Sequence, residues 1–132
     1  MSKDNMRKRI WSCAGQLVEE KGYVSAVDLL VKMERVTQKQ VEDWRFKRIP
    51  YLERVAVGNL SKMKLVLDEL RAFAKTAKLK PSQTVYVSWG KGPKQRLRFS
   101  KSGDPQMETM YSTHYVLIRT RGLIEEESQA MD

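Results

Sequence analysis

The only histidine, His114, lies in the run Tyr111, Ser112, Thr113, His114, Tyr115, a group of side chains able to take up and release protons. An imidazole can act as a general base near neutral pH, and an arginine beside it can hold a phosphate. Together they could support metal-free phosphodiester cleavage, most readily of RNA, whose 2′-hydroxyl is the nucleophile. The base needs an acid, for which Tyr111 or Glu108 is the nearest candidate, and Arg96, Arg98 and Lys101 could meet the phosphate. A lone histidine along a mostly apolar face is more often a packed residue, so catalysis ranks behind binding and the chain reads as a non-enzyme first. One histidine and one cysteine leave too few ligands for a zinc site. Zinc fingers and histidine-based metalloenzymes are therefore excluded, a carboxylate-bound magnesium is not, and no metal or organic cofactor is expected. Cys13 lies on an apolar stripe and reads as packing rather than as a nucleophile.

A denser signal is cationic. The 132 residues hold 25 Lys plus Arg against 16 Asp plus Glu, a net charge of +9. Residues 70–103 contain Arg71, Lys75, Lys78, Lys80, Lys91, Lys94, Arg96, Arg98 and Lys101 and no acidic residue, so this segment alone equals the net charge. A polyanion is the first partner to consider. Lys64, Arg71, Lys75 and Lys78 recur at helical spacing opposite an apolar stripe, interrupted only by Asp68. Arg96 and Arg98 project from one side of a strand, Lys91 and Lys94 lie in the loop before it, and Lys101 follows. Tyr86 is expected on the arginine face, where it could stack on a base or receive a cation. The loop GKGPK lacks the GxxxxGK[ST] pattern and the following helix of a phosphate loop.

The elements that must position these groups follow from periodicity. Met6, Ile10, Cys13, Ala14 and Leu17 predict a helix over 5–20, stopped by Gly22. Ser25 caps a short helix over 26–33 with Asp28 in its first turn and Val27, Leu30 and Val31 apolar. Thr37 and Gln40 form a capping box opening a helix over 38–46, with Val41 and Trp44 inward, and the chain leaves it before Pro50. A short amphipathic piece, YLERVAV, ends at Gly58. Asn59 or Ser61 then starts the most regular helix, running to about Leu79, with Met63, Val66, Leu67, Leu70, Phe73, Ala74 and Ala77 as its buried stripe. After Pro81 the period becomes two. Val85, Val87 and Trp89 form one face of TVYVSW, and RLRF, with Leu97 and Phe99 apolar, completes a hairpin. Asp104 and Pro105 look like a cap and a first helical residue. Met107, Met110, Tyr111, His114, Tyr115 and Ile118 then suit a helix, whereas Thr113, Val116, Ile118 and Thr120 suit a strand, so the segment is read as helix first and extended later. Trp11, Trp44 and Trp89 are expected to anchor the core, and Met107 and Met110 to fill it.

The two short capped helices separated by MERV, behind a longer supporting helix, resemble a helix-turn-helix over residues 5–48, in which the second short helix is presented to the major groove. The turn carries Glu34 and Arg35 where glycine is common. On that resemblance the exposed positions would be Gln38, Lys39, Glu42 and Asp43, with Arg45, Lys47 and Arg48 at the exit. Two carboxylates face the expected phosphates there, and a tri-helical core without groove contacts is the competing reading. The basic hairpin resembles the wing of a winged-helix domain, with the order altered by the intervening long helix.

The expectation is an α+β, mainly helical single domain. It has a helix-turn-helix-like three-helix unit, a long fourth helix and a C-terminal β-hairpin: 5–80 helical, 81–122 the hairpin and the following element, 123–132 an acidic tail. It would bind DNA or structured RNA through phosphates, transcriptional regulation being one such role. Lys64, Arg71, Lys75 and Lys78 form one edge of the footprint and Lys91, Lys94, Arg96, Arg98 and Lys101 the other, with Lys39, Arg45, Lys47 and Arg48 as groove contacts. The alternatives are a protein-interaction adaptor whose basic face meets an acidic protein or whose helices form a homodimer, and the His114 nuclease. No run approaches the roughly 18 apolar residues of a membrane span, and the first residues lack a signal-peptide core, so a cytoplasmic protein is expected. Glu125, Glu126, Glu127 and Asp132 read as a solubilising, mobile terminus, with a nucleic-acid mimic covering the basic surface as the minority reading.

Overall fold

The computed structural model describes residues 3–118, so the acidic run 123–132 and the end of the segment 81–122 lie outside the described residues. The described chain is α+β and mainly helical. Helix α1 (Lys3–Lys21) leads to strand β1 (Tyr23–Val24), then α2 (Ala26–Lys32), α3 (Gln38–Arg45), a 3-10 turn (Leu52–Arg54) and the long α4 (Leu60–Thr76). Strand β2 (Lys80–Gln83), helix α5 (Pro105–Ser112) and strand β3 (Thr113–Val116) complete it.

The helix starts follow local chemistry. The Ser25 hydroxyl accepts the Asp28 N–H, Thr37 and Gln40 make the reciprocal capping box, the Asn59 side chain accepts the Lys62 N–H, and the Asp104 carboxylate accepts the Met107 N–H behind Pro105. Met6, Ile10, Ala14 and Leu17 of α1 are buried with Met63, Val66, Leu67, Leu70 and Ala74 of α4 and with α2. Phe73 is half-buried, its ring meeting Trp11 edge-on, and Ala77 is exposed beyond the end of the stripe.

Three helices end in the same way. After α2, the Arg35 N–H reaches Leu30 O and the Glu34 N–H reaches Val31 O; Arg48 to Asp43 with Lys47 to Trp44, and Leu79 to Ala74 with Lys78 to Lys75, repeat the pattern. This is the Schellman ending, and its left-handed position holds Glu34 (φ 61), Lys47 (φ 63) and Lys78 (φ 57) where glycine is favoured. A side chain in that region costs about 1–2 kcal/mol. Glu34 makes no side-chain hydrogen bond or ion pair with the described residues. Glu34→Gly is therefore expected to raise stability by about 1 kcal/mol, the relief being partly offset by glycine's greater chain entropy. An unchanged urea midpoint would refute this.

The small sheet departs from the periodicity. It is antiparallel with order β1-β3-β2, pairing Val24 with Tyr115 and Pro81 with Tyr115 from the other side. Pro81 is tolerated because β2 is an edge strand, where a missing N–H can face outward. The segment 105–118 is helix and then strand, and α5 ends at Ser112.

The hairpin is present in shorter form, with Val87 opposite Arg96, the Leu97 N–H on Tyr86 O and the Ser88 N–H on Gln95 O. This register corrects the expected faces. Tyr86 shares the side of Leu97 and is buried, while Val87 shares the side of Arg96, and Val85 and Trp89 are exposed. Both faces of TVYVSW hold apolar groups, so its alternation could not choose between them; the cross-strand partner did.

Candidate nucleic-acid interface

An aromatic chain fixes the hairpin against the helical unit. The Trp44 ring of α3 lies 5.6 Å from Tyr86 and 5.0 Å from Phe99, Tyr86 meets Phe99 edge-on at 5.1 Å, and Phe99 stacks on Tyr111 at 5.3 Å. The Trp44 indole N–H donates to Arg98 O at 2.8 Å. The return strand is also held by the 3-10 turn, through Leu52 N to Arg98 O and Glu53 N to Phe99 O.

Toward its tip the hairpin folds onto the exit of α3. The Trp89 N–H donates to Arg45 O at 2.7 Å, and an Arg45 guanidinium N–H donates to Val87 O at 2.9 Å. That guanidinium lies 4.8 Å from the Tyr86 ring centre and 4.7 Å from that of Trp89. Burial works against its charge, and the two rings supply the compensating attraction. Arg45 is thus a clamp between α3 and the hairpin rather than a free groove contact.

Phe46 meets Trp89 edge-on at 5.7 Å, and the two residues are 41% and 43% exposed. Gly90, at φ 104, runs beside Phe46, where an added Cβ would sit 3.5 Å from the ring. The Lys94 ammonium closes the tip by donating to Gly90 O at 3.0 Å. Lys47, Lys91 and Arg96 are exposed and make no ion pair among the described residues. Asp43 is flanked by Lys39 at 3.2 Å and Arg48 at 3.0 Å, which hold its carboxyl below the usual range, Arg48 contributing most. The carboxylate is therefore already neutralised by one cation of its own helix and one from the chain just beyond it, and that trio remains net cationic.

The other expected cations fall elsewhere. Arg71 and Lys75 line a groove of about 810 Å³ between α4 and α5, whose walls include Ala74, Leu79, Pro81, Met110 and Tyr115. Lys64 borders a separate hollow with Asp68 and Asp104, and Lys78 is exposed just past α4. Arg98 is bound to its own loop, donating to the carbonyls of Ser100 and Lys101 and lying over Tyr51. Lys101 lies next to Glu53, whose carboxylate accepts its backbone N–H. Arg98 and Lys101 thus belong to a folded loop, and Tyr86 lies beneath the surface.

The proton-transfer group expected around His114 is not assembled. The Tyr111 hydroxyl donates to Glu53 at 2.6 Å, and burial together with that bond pushes its pKa far above the usual range. The Glu108 carboxylate accepts the N–H groups of Phe99 and Ser100 and the Ser100 hydroxyl. His114 instead shares a hydrogen bond of 2.8 Å with Tyr86, whose pKa burial raises to about 12, and stacks on Tyr23. No group of three or more metal-ligating side chains occurs among the described residues.

Burial lowers the His114 pKa below 6.5, against an opposing pull from Asp28. The unfolded chain thus takes up this proton at a higher pH than the folded one. Stability is expected to fall as pH drops through the unfolded pKa toward the folded one, and to lose nothing more from this group below it. Urea midpoints at about pH 7.5 and about pH 5.5 test this, with His114→Gln expected to remove that part of the decline; equal declines in both proteins would count against it.

Comparisons with protein-family models, with curated proteins and with solved structures found no match. Sequence reasoning named Lys91, Lys94 and Arg96 as a hairpin edge and Lys47 and Arg48 as separate groove contacts. It missed Phe46 and took Trp89 for a core anchor; the one available signal was Trp89 beside Gly90, a turn position.

Proposed function

We propose that the protein binds nucleic acid through the surface where the hairpin tip meets the exit of α3. The observation carrying this reading is a set of cations without acidic partners among the described residues, Lys47 next in the chain to Phe46, Lys91 and Lys94 in the turn after Trp89 and Arg96 on the strand opposite Val87, with Arg48 lying over the exposed Phe46 ring. One-signed charge repels itself, and a phosphate backbone is the ligand that relieves that repulsion. Arg71 and Lys75 of α4 and Lys78 just beyond it would add outlying phosphate contacts, and a cytoplasmic setting belongs to the same proposal.

The test is binding of duplex DNA, single-stranded DNA and hairpin RNA at two salt concentrations. Four phosphate contacts predict a slope of log affinity on log salt of about −3 to −4. Changing Lys47, Lys91, Lys94 and Arg96 together to alanine should flatten it. A slope near zero in the wild type would sink the reading. A second reading, an adaptor for an acidic protein, is favoured by the groove beside α4, which sets Arg71 and Lys75 against apolar walls. Binding to an acidic amphipathic peptide, with none to nucleic acid, would move the function there. No helix among the described residues is long and apolar enough to cross a membrane.

A further inference from the structure

Phe46 and Trp89 are exposed in a protein that buries Trp44, Tyr86, Phe99 and Tyr111. Exposed rings cost hydration free energy unless something covers them. These two are also held in place. Trp89 is tied through its backbone to Arg45 and through its ring to the Arg45 guanidinium, and Phe46 lies between Gly90, the edge of Trp89 and the Arg48 guanidinium at 5.0 Å. A rigid aromatic pair amid cations has little conformational entropy left to lose when a planar ligand stacks on it.

We propose that Phe46 and Trp89 form a stacking platform for unpaired bases, so that the nucleic acid favoured at this surface is single-stranded. The inference rests on the nucleic-acid reading above and narrows its ligand. In a duplex the base faces are stacked on one another and only edges and phosphates are presented, so the rings would gain nothing from it. An unpaired strand offers both the base faces for the rings and the phosphates for Lys47, Lys91 and Lys94. The charge accounts for affinity to any nucleic acid, and the rings for the preference. The chemistry is common to DNA and RNA, because every base has a π face.

The test uses the full chain with fluorescently labelled oligothymidylate, oligouridylate and a duplex DNA of equal length, each measured at the same two salt concentrations. The wild type is expected to bind the single strands at least about tenfold more tightly than the duplex, the worth of one stacked base. Trp89→Ala and Phe46→Leu should each weaken single-strand binding by about tenfold or more, leaving duplex binding and the salt slope unchanged. Trp89→Phe, which keeps a ring, should restore most of the loss. Because Trp89→Ala also uncovers Arg45, Phe46→Leu supplies the independent arm; it keeps the bulk beside Gly90 and leaves Arg45 covered while removing the ring. Equal affinity for duplex and single strand, or wild-type single-strand affinity in the Phe46→Leu, Trp89→Ala double variant, would overturn the platform. Either result with a steep salt slope would leave phosphate binding standing, whereas no salt-dependent binding to any of the three would remove both. Oligodeoxyuridylate, which differs from oligouridylate only in lacking the 2′-hydroxyl, separates the two sources: tighter binding of oligouridylate would assign the single strand to RNA, and the reverse to DNA.

Discussion

Replacing Trp44 by alanine is expected to destabilise the protein by about 3–5 kcal/mol, the range for emptying a fully buried aromatic site. Trp44 has no solvent exposure, packs on the rings of Tyr86 and Phe99, and donates its indole N–H to Arg98 O. The alanine variant loses the apolar burial, leaves a cavity between α3 and the hairpin, and removes one of the two bonds on that carbonyl, the other coming from the Leu52 N–H. In a chain of this size the melting temperature should fall by roughly 10–20 °C. Trp44→Phe keeps a ring but not the donor and should lose about 1–2 kcal/mol. The consequence reaches the interface, because Arg45 and Phe46 follow directly and the Trp89 N–H is bonded to Arg45 O. A loss below about 1 kcal/mol for Trp44→Ala would show that the junction is not held by this core.

Glu108→Ala is the second large effect, expected to cost about 2–4 kcal/mol although the residue is only half-buried. One carboxylate oxygen accepts the Phe99 N–H at 3.0 Å, while the other accepts the Ser100 N–H at 2.7 Å and the Ser100 hydroxyl at 2.6 Å. Ser100 is fully buried and Phe99 nearly so, so alanine would leave buried donors without partners. That desolvation penalty is larger than the net worth of an ordinary hydrogen bond. Glu108→Gln keeps one acceptor but points an amide N–H at a donor, and should fall between wild type and alanine. Chemical denaturation gives the size, and hydrogen exchange at the Phe99 and Ser100 amides gives the place. If those amides keep their protection in the alanine variant, the carboxylate is not what holds the return strand.

These two residues bracket the hairpin; Trp44 is the inward core anchor that the sequence predicts, whereas Glu108 had another reading there. Glu108 stood as a candidate acid for His114, because sequence distance was the only distance available. In the folded chain it spans from the first turn of α5 back to residues 99 and 100, closing a loop that contains the turn at Gly103 and the cap at Asp104. His114 found Tyr86 instead of Tyr111 for a similar reason. Tyr86 faces inward only once its strand is paired, and no property of residues 84–89 alone selects that face.

The helices and their starts were legible because their causes lie within four residues of one another. Ser25 reaches Asp28, Thr37 reaches Gln40, Asn59 reaches Lys62 and Asp104 reaches Met107. That the excess of positive over negative charge falls in residues 70–103 was equally plain, since a formal charge needs no fold to be counted. How those charges are used was not. Arg98 is bound to its own loop and Arg71 and Lys75 turn toward α5, while Lys47 and Arg48 join Lys91 and Lys94 beside exposed Phe46 and Trp89. Those pairings join residues about 40 positions apart, and side-chain alternation that is apolar on both faces does not encode them. Local chemistry determined the helices, and long-range packing around Trp44 decided which faces of the hairpin and of α3 meet the solvent.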